Sequence, residues 1–458
     1  MAAFEERSMQ VYALPAELAA YAEEECKRLS VPGTAVGVLH DHAFYVAGVG
    51  VTSIEDPLPV TPETLFQIGS TSKTFTATAA MQLVEEGRLD LDMRVRDYLP
   101  EFRLQSEQDA ARITVRDLVT HHTGYVGDYF RDTGRGDDAI AKIVAKMANS
   151  RQLVPAGTTF SYCNAGFYVL GRIVEVLREQ PFEHVIRDRI FAPLGMDRSF
   201  YFAEECIAYR TAMKHIVMSD GVKVARPWPV PRSIAPGGGV ISNVIDQLRY
   251  AALHIGSDET SNVLSRRSIE YMRAAQRPAG SMCEWIGVSW MLDDAGDGQT
   301  LAKHGGSTTG HESSFELIPS KGFAVTVLTN ADTGRASRQT IADRCQRYFL
   351  GFDKPEPKLA SHVRSAPTEY AGRYEATLEA LDVSVVGEGL SIVGRRPGRA
   401  GVQRPAPITT PAARLAFVDD DRAVVLDGAR RGERVEFLRD GRGRIEWLRW
   451  DGRLARRL

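Results

Sequence analysis

The sequence predicts an α+β fold in two parts: an antiparallel sheet flanked by helices with a helical subdomain, followed by a small all-β barrel. Strand-like alternation occurs near both ends of the first 350 residues, and helical periodicity fills the stretch between them. The economical arrangement places both sets of strands in one sheet that the helices cover. Composition then changes, since lysine is absent after Lys358 and three Asp-Gly pairs follow.

Length and composition divide the chain into domains. A chain of 458 residues exceeds what one hydrophobic core usually supports. We predict a large domain over 1–351, a linker over 352–365 that is rich in proline and polar residues, and a barrel domain over 366–458.

The elements of the large domain follow in order. An amphipathic helix is predicted over 15–29, and two strands follow around a turn near Asp41. Helical periodicity resumes near Ser70, and Gly87 can close that helix. Residues 112–255 carry mainly helical signals and end in a Gly-rich turn before a helix capped near Ser242 or Asn243.

Strand patterns return from Trp285, and a last helix covers 337–351. In the barrel domain, alternating segments such as "LDVSVVGEGLSIVG" and "RIEWLRWDGRLARRL" predict strands. The Asp-Gly pairs at 427–428, 440–441 and 451–452 predict the hairpin turns between them.

Charge and targeting signals narrow the class of protein. The net charge of −3 gives no case for nucleic-acid binding. The N-terminal stretch lacks an apolar signal region, and no run is long and apolar enough to span a membrane, so we expect a cytoplasmic protein without membrane contact. The five scattered cysteines fit reduced, mostly buried thiols.

Ser70 and Lys73 form the first candidate motif, within "FQIGSTSKTFTA". Residues three apart in a helix share a face, so Lys73 can reach Ser70 and act as its base if burial lowers its pKa. The free N–H groups at a helix start also favour negative charge on a bound acyl oxygen. An ordinary polar helix start would have the same spacing.

Two further motifs follow downstream. In "FSYCNAGFYVLG", the phenol of Tyr162 can shuttle protons and the amide of Asn164 can hold a lysine and a carbonyl, although a core tyrosine beside an Asn164 N-cap is the alternative. His304, Gly305 and Gly306 stand just before a predicted strand, where glycines permit close approach of a substrate backbone. A Gly-rich hairpin loop is the alternative there.

The order of these three motifs resembles the serine β-lactamase and penicillin-binding-protein superfamily, and most of all its class C-related branch. That branch includes D-aminopeptidases, family VIII carboxylesterases and penicillin-binding-protein-type thioesterases. The segments "ITVRDLVTHHTGY", "PAGTTFSYCNAGFYVLGRIVE" and "APGGGVISNVIDQLRYA" extend the resemblance. It implies the β-lactamase/transpeptidase-like fold, and the C-terminal domain resembles the lipocalin-like module of some members.

The resemblance implies a role for each matched residue. Ser70 is the acylated nucleophile, Lys73 activates it and Tyr162 passes protons. Asn164 orients Lys73 and the substrate carbonyl. The backbone N–H groups of Ser70 and Ser307 form the oxyanion hole.

His304 is the main departure from the family pattern, because it replaces the usual lysine. A histidine is mostly neutral at pH 7, so weak or no β-lactamase activity is expected. Arg453, near the C-terminus, matches an arginine that reaches the active site in thioesterase-type relatives and can bind a carboxylate. A solvated barrel arginine is the alternative.

Three further histidines have weaker assignments. We expect His121 and His122 to hold the loop near the Ser70 helix by hydrogen bonds. His311 is expected either to line the pocket or to lie on the surface.

The predicted activity is that of a serine hydrolase or acyl-transferase that forms a Ser70 acyl-enzyme from an ester or peptide bond, with bonds of D-amino acids among the candidates. It needs no metal or organic cofactor and acts on a small molecule or peptide. The first alternative is a thioesterase of the penicillin-binding-protein type that cyclises a nonribosomal peptide. The second is a catalytically inactive binding protein on the same scaffold.

Overall fold

The computed structural model describes residues 9–256, 262–363, 365–387, 389–397 and 407–458. It has the predicted α+β architecture with a C-terminal barrel. All five cysteines are free and buried, as expected. Among the helices of the described residues, none combines the length and apolar character needed to cross a bilayer.

The large domain contains strands β1–β13 and helices α1–α12. The strands are β1 (Gln10–Ala13), β2 (Gly33–His40), β3 (Ala43–Gly50), β4 (Phe66–Gln67), β5 (His215–Met218), β6 (Gly221–Val224), β7 (Ile241–Ser242), β8 (Arg277–Pro278), β9 (Trp285–Ile286), β10 (Met291–Gly296), β11 (Gln299–Ser307), β12 (Glu312–Ile318) and β13 (Phe323–Thr329). The helices are α1 (Ala16–Arg28), α2 (Ser72–Glu85), α3 (Val95–Tyr98), α4 (Glu107–Ala110), α5 (Val115–Val119), α6 (Ala139–Lys146), α7 (Asn164–Arg178), α8 (Phe182–Ile186), α9 (Ala235–Gly238), α10 (Val244–Ile255), α11 (Arg266–Met272) and α12 (Gly334–Leu350).

The central sheet joins strands from both ends of the domain in the order β1-β3-β2-β13-β12-β11-β10-β9-β8. The β1–β3 pair is parallel and the other pairs are antiparallel. Alternate residues of β2 enter two different cores: Val36 and Val38 pack with α1 and α12, whereas Ala35 and Leu39 belong to the core that contains α10. Helices therefore cover both faces, which explains why β2 is buried along almost its whole length.

Helix α2 lies at the centre of the helical subdomain. Every residue from Ser72 to Leu83 is buried, so the helix is covered on all sides. Helices α7 and α9 pack on α2, and α10 reaches it through Tyr250, whose ring stacks 3.9 Å from that of Phe75. The polar residues of α2 are satisfied internally, as when Thr76 donates to the carbonyl of Pro236 at 2.7 Å.

The region expected to be mainly helical also contains three short strands. β5 and β6 form a hairpin, and β7 pairs with β4 immediately before the Ser70 turn. Asn243 caps α10 by accepting from the Asp246 N–H at 2.9 Å, so the second of the two expected caps is the one used.

The C-terminal part is a closed eight-stranded barrel. Its elements are α13 (Pro367–Tyr370), β14 (Gly372–Glu375), β15 (Ala380–Val386), β16 (Gly389–Arg396), β17 (Ile408–Thr409), β18 (Ala413–Phe417), β19 (Arg422–Val425), β20 (Arg434–Arg439), β21 (Ile445–Trp450) and β22 (Arg453–Arg457). The order β15-β14-β22-β21-β20-β19-β18-β16 closes through β15–β16, and β17 extends the edge of β16.

The Asp-Gly pairs lie in the strand connections, as the sequence predicted. At 451–452 the pair is a two-residue turn in which Asp451 has φ +50° and Gly452 φ +74°. Two positive φ angles are what the tight turn of a twisted hairpin requires. This turn faces the large domain.

Candidate active site

Ser70 lies in one turn of 3₁₀-helix (Gly69–Thr71) that leads directly into α2, and Lys73 follows one turn later. The Nζ of Lys73 donates to the Oγ of Ser70 at 3.0 Å and to the carbonyl of Gly237 at 2.6 Å. Burial lowers the pKa of Lys73 well below its usual value, and the charge of Arg453 lowers it further. A neutral amine in contact with a hydroxyl can act as its base.

Gly237, whose carbonyl accepts from Lys73, is a site residue that the sequence does not predict. The sequence predicts only a Gly-rich turn in this segment. Gly237 lies in α9, and a Cβ there would lie 2.7 Å from the ring of Tyr168. Glycine therefore allows α9 to pack closely enough for its carbonyl to hold Lys73. The motif "APGGGV" was the available signal.

Tyr162 is buried beside this pair. Its ring centroid lies 5.1 Å from the Nζ of Lys73, and the ring of His121 stacks on it at 4.3 Å. Burial raises the pKa of Tyr162, whereas its hydrogen bond with Ser70 and the charge of Arg453 lower it. The phenol is thus protonated at rest and in contact with the candidate nucleophile.

Asn164 is the first residue of α7, and the N-cap is Cys163, whose Sγ accepts from the Gly166 N–H. The amide of Asn164 donates to Asp128 at 2.7 Å. Asp128 was missed in the sequence, because an isolated aspartate in a loop carries no signal of its own. Its side chain is 5% exposed and connects Asn164 to the C-terminal barrel.

His304, Gly305, Gly306 and Ser307 form the end of β11, inside the strand and not before it as the sequence suggested. The Nδ1 of His304 donates to the carbonyl of Gly305 at 2.8 Å. The imidazole is 1% exposed, and burial together with the charge of Lys73 lowers its pKa to about 3. His304 is therefore neutral at pH 7.

The Ser70 turn packs tightly against this strand. A Cβ on Gly69 would lie 2.7 Å from the backbone nitrogen of Ser307, and one on Gly306 would lie 1.8 Å from the carbonyl oxygen of Ile68. Both glycines are needed for this approach, which brings the backbone of Ser307 beside the turn that carries Ser70.

Arg453, the first residue of β22, reaches the site from the barrel. Its guanidinium carbon lies 4.8 Å from the ring centroid of Tyr162, and its Nε donates to Asp128 at 2.9 Å. The backbone N–H of Tyr162 donates to the carbonyl of Gly452 at 2.8 Å. The side chain of Arg453 is 23% exposed, so the alternative of a solvated strand arginine does not describe its position.

The other histidines have structural surroundings. His121 accepts from the Cys163 N–H at 3.0 Å, as expected of a residue that holds the loop. The Nδ1 of His122 donates to the carbonyl of Thr120 at 2.7 Å. His311 was expected at the pocket or the surface, but it is fully buried and accepts from the Gln67 N–H at 3.0 Å.

A cleft of about 2870 Å³ lies beside Ser70, between the large domain and the barrel. Tyr162 and His304 line it together with barrel residues that include Arg453. The site combines a nucleophile, a buried amine, a phenol and an adjacent strand of backbone N–H groups. Such an arrangement suits acyl transfer.

The family model described as Beta-lactamase matches residues 17–346, which is most of the chain. The chain belongs to this family. Members of the wider superfamily are serine hydrolases, and the match covers the elements that carry Ser70, Lys73, Tyr162 and His304.

Among sequence relatives of this beta-lactamase-family chain, Penicillin-binding protein 4 of Amycolatopsis lactamdurans is 37% identical over 360 residues, which cover 75% of this chain and 93% of that protein. Unguisins hydrolase ungD' of Aspergillus campestris is 27% identical over 346 residues, which cover 71% of this chain and 62% of that protein.

Solved structures resemble the chain over nearly its whole length, barrel included. The octameric penicillin-binding protein homologue from Pyrococcus abyssi is 27% identical with a TM-score of 0.65, covering 93% of this chain and 96% of that one. SurE with D-Leu is 23% identical with a TM-score of 0.74, covering 96% and 99%. At that identity SurE shows the fold alone.

Proposed function

We propose that this protein is a serine hydrolase or acyl-transferase that forms an acyl-enzyme on Ser70 from an ester or peptide-type bond. The contact of 3.0 Å between the Oγ of Ser70 and the buried Nζ of Lys73 carries the proposal. Tyr162, hydrogen-bonded to the same hydroxyl, completes the set. An inactive binding protein would not need all three groups.

Acylation begins when the Oγ of Ser70 attacks the carbonyl carbon of the substrate and its proton passes to the neutral amine of Lys73. The N–H groups of Ser70 and Ser307 receive the negative oxygen. As the carbonyl re-forms, the bond to the leaving group breaks, and Tyr162 gives its phenol proton to that group. Lys73 then returns a proton to Tyr162, which restores both residues.

Deacylation runs this sequence in reverse with a second nucleophile. Tyr162 first passes its phenol proton to Lys73, and the resulting phenolate takes a proton from a water molecule, or from an amine, as that molecule attacks the acyl carbon. The ammonium of Lys73 then gives its proton to the departing Oγ of Ser70. Water gives hydrolysis, whereas an amine of the same peptide gives a cyclic product. We propose hydrolysis as the main reaction.

The substrate class follows from the cleft and its charge. A cleft of about 2870 Å³ accommodates a peptide-sized acyl group. Neutral His304 supplies no cation for the carboxylate of a β-lactam, so we propose weak or no β-lactamase activity. A relative of this chain is named as a hydrolase of unguisins, which supports a hydrolytic activity.

Replacement of Ser70 by alanine tests the proposal. We expect the S70A variant to lose at least about 10³-fold in kcat/KM for a p-nitrophenyl ester, because no acyl-enzyme can form. The matched control is S320A, which removes an exposed hydroxyl that contacts Gln299. A fluorophosphonate should add to the wild-type protein at Ser70, as seen in its intact mass and a peptide map. Full turnover by S70A, or no adduct at Ser70, would reject the proposal.

A further inference from the structure

The ring of Tyr162 lies between two basic side chains that come from different domains. The Nζ of Lys73, on α2, is 5.1 Å from the ring centroid, and the guanidinium carbon of Arg453, on β22, is 4.8 Å from it. A guanidinium at that distance interacts favourably with an aromatic ring and more strongly with a phenolate. The barrel thus places a permanent positive charge beside the group that exchanges protons.

Two acidic residues hold Arg453 in this position. Asp128, from the large domain, accepts from Nε at 2.9 Å. Asp451, from the barrel turn, accepts from Nη1 through its backbone carbonyl at 2.8 Å and has a carboxylate oxygen 3.4 Å away. Asp128 also accepts from the amide of Asn164 at 2.7 Å, so one carboxylate fixes both side chains.

These contacts leave Arg453 poorly suited to bind a substrate carboxylate. Its Nε and Nη1 already donate to Asp128 and Asp451, and its Nη2 lies 3.4 Å from Asp128. Asp128 and Asp451 therefore occupy the donors that a substrate carboxylate would need. A substrate carboxylate would have to displace one of them, whereas the contact with Tyr162 requires no rearrangement.

We propose that Arg453 is a positioning residue that acts through Tyr162: held by Asp128 and Asp451, its cation stabilises the phenolate that forms when Tyr162 gives its proton to the leaving group. The proposal rests on the proposed acyl-enzyme function and adds a role for the barrel in the proton-transfer step. It applies to every substrate, with or without a carboxylate.

The charges around Tyr162 allow the proposal to be tested by the direction in which each charge shifts a pKa. The titratable and charged groups that face it are Lys73 from α2, His121 from the loop after α5, His304 from β11, Asp128 from the loop before α6, and Asp451 and Arg453 from the barrel. The charge of Arg453 lowers the pKa of both Lys73 and Tyr162, whereas that of Asp128 raises both. Removal of the Arg453 charge and removal of the Asp128 charge should therefore move the pH profile of kcat/KM in opposite directions.

The experiment measures kcat/KM against pH for a neutral p-nitrophenyl ester with wild type, R453M and D128N. In R453M the acidic limb should move to higher pH by roughly one unit, with about a tenfold loss at pH 7. In D128N the limb should move to lower pH. The matched control is R456M, on the same strand, whose side chain is 68% exposed; its profile should equal that of wild type.

An unchanged profile in both R453M and D128N, or a shift in the same direction in both, would overturn the proposal. So would a loss in R453M seen only with carboxylate-bearing esters, which is the result expected of a carboxylate-binding arginine. If R453M does not fold, the proposal is judged by the direction in which the pH profile of D128N shifts. A fluorophosphonate adduct at Ser70 in every folded variant shows that the acyl-enzyme function stands even where this proposal fails.

Discussion

The imidazole of His304 contributes no positive charge to the cleft at physiological pH. It is 1% exposed, its Nδ1 donates to the carbonyl of Gly305, and its Nε2 has no hydrogen-bond partner within the described residues. A charged imidazole there would lose its hydration and face the cation of Lys73. We therefore expect the position to favour acyl donors that carry no carboxylate near the reacting bond.

Replacement of His304 by lysine should change this preference. The H304K variant introduces a permanent cation beside the nucleophile, so the ratio of kcat/KM for nitrocefin, a carboxylate-bearing β-lactam, to kcat/KM for a neutral p-nitrophenyl ester should rise about tenfold. The control is H304N, which keeps the position neutral and should leave the ratio unchanged. An equal ratio in H304K and H304N would show that charge at this position does not select the substrate.

The 3₁₀ turn Gly69–Thr71 and the strand β11 form the site by direct backbone packing. Gly69 has φ +53°, and a Cβ there would lie 2.7 Å from the nitrogen of Ser307. Gly87, after the far end of the same helix, has φ +69° but open space around it. Both glycines have a positive φ angle, but only Gly69 packs against the active site.

The G69A and G87A variants separate these two effects. Alanine at positive φ should cost each variant about 1 kcal/mol in the free energy of unfolding, measured with urea. In G69A the methyl group also pushes the Ser70 turn away from Ser307, so kcat/KM for a p-nitrophenyl ester should fall at least about 100-fold. G87A should retain wild-type turnover. Similar activity in both variants would mean that the turn tolerates the displacement.

The parts of the site that the sequence could predict are those fixed by one element. Ser70 and Lys73 are one helical turn apart, so their contact follows from helix geometry. The contacts of Asp128 and of the carbonyl of Gly237 depend on how distant elements pack, and the spacing of residues in the chain does not report that. The sequence likewise places His304 just before a strand and not inside it, because two glycines weaken any strand pattern.

The barrel and the large domain are joined by partly buried charged groups as well as by the Tyr162 contact. Arg335, on α12, donates to Asp451 at 2.7 Å and to Glu433 at 3.0 Å, both in the barrel. Arg449, also from the barrel, donates to the carbonyl of Phe160 at 3.1 Å, two residues before Tyr162. The turn at 451–452 therefore serves both the domain interface and the active site.

Replacement of Asp451 by asparagine tests whether this network holds the domains together. Burial alone would raise the pKa of Asp451, but the charges of Arg335, Arg430 and Arg453 lower it well below its usual value. The folded state is thus stabilised above the unfolded pKa of about 3.8, and this contribution is lost as the pH falls below it. D451N should lack it at every pH.

At pH 7 the D451N variant removes one of the two carboxylates that pair with the half-buried Arg335, which should cost about 2 kcal/mol in the free energy of unfolding measured with urea. The control is D382N, which breaks a half-exposed pair with Arg395 inside the barrel and should cost under about 1 kcal/mol. D451N should also lower kcat/KM, because the turn that bonds to Tyr162 loosens. If D451N is no less stable than D382N, the interface is held by its apolar and backbone contacts and the partly buried charged groups are not essential to it.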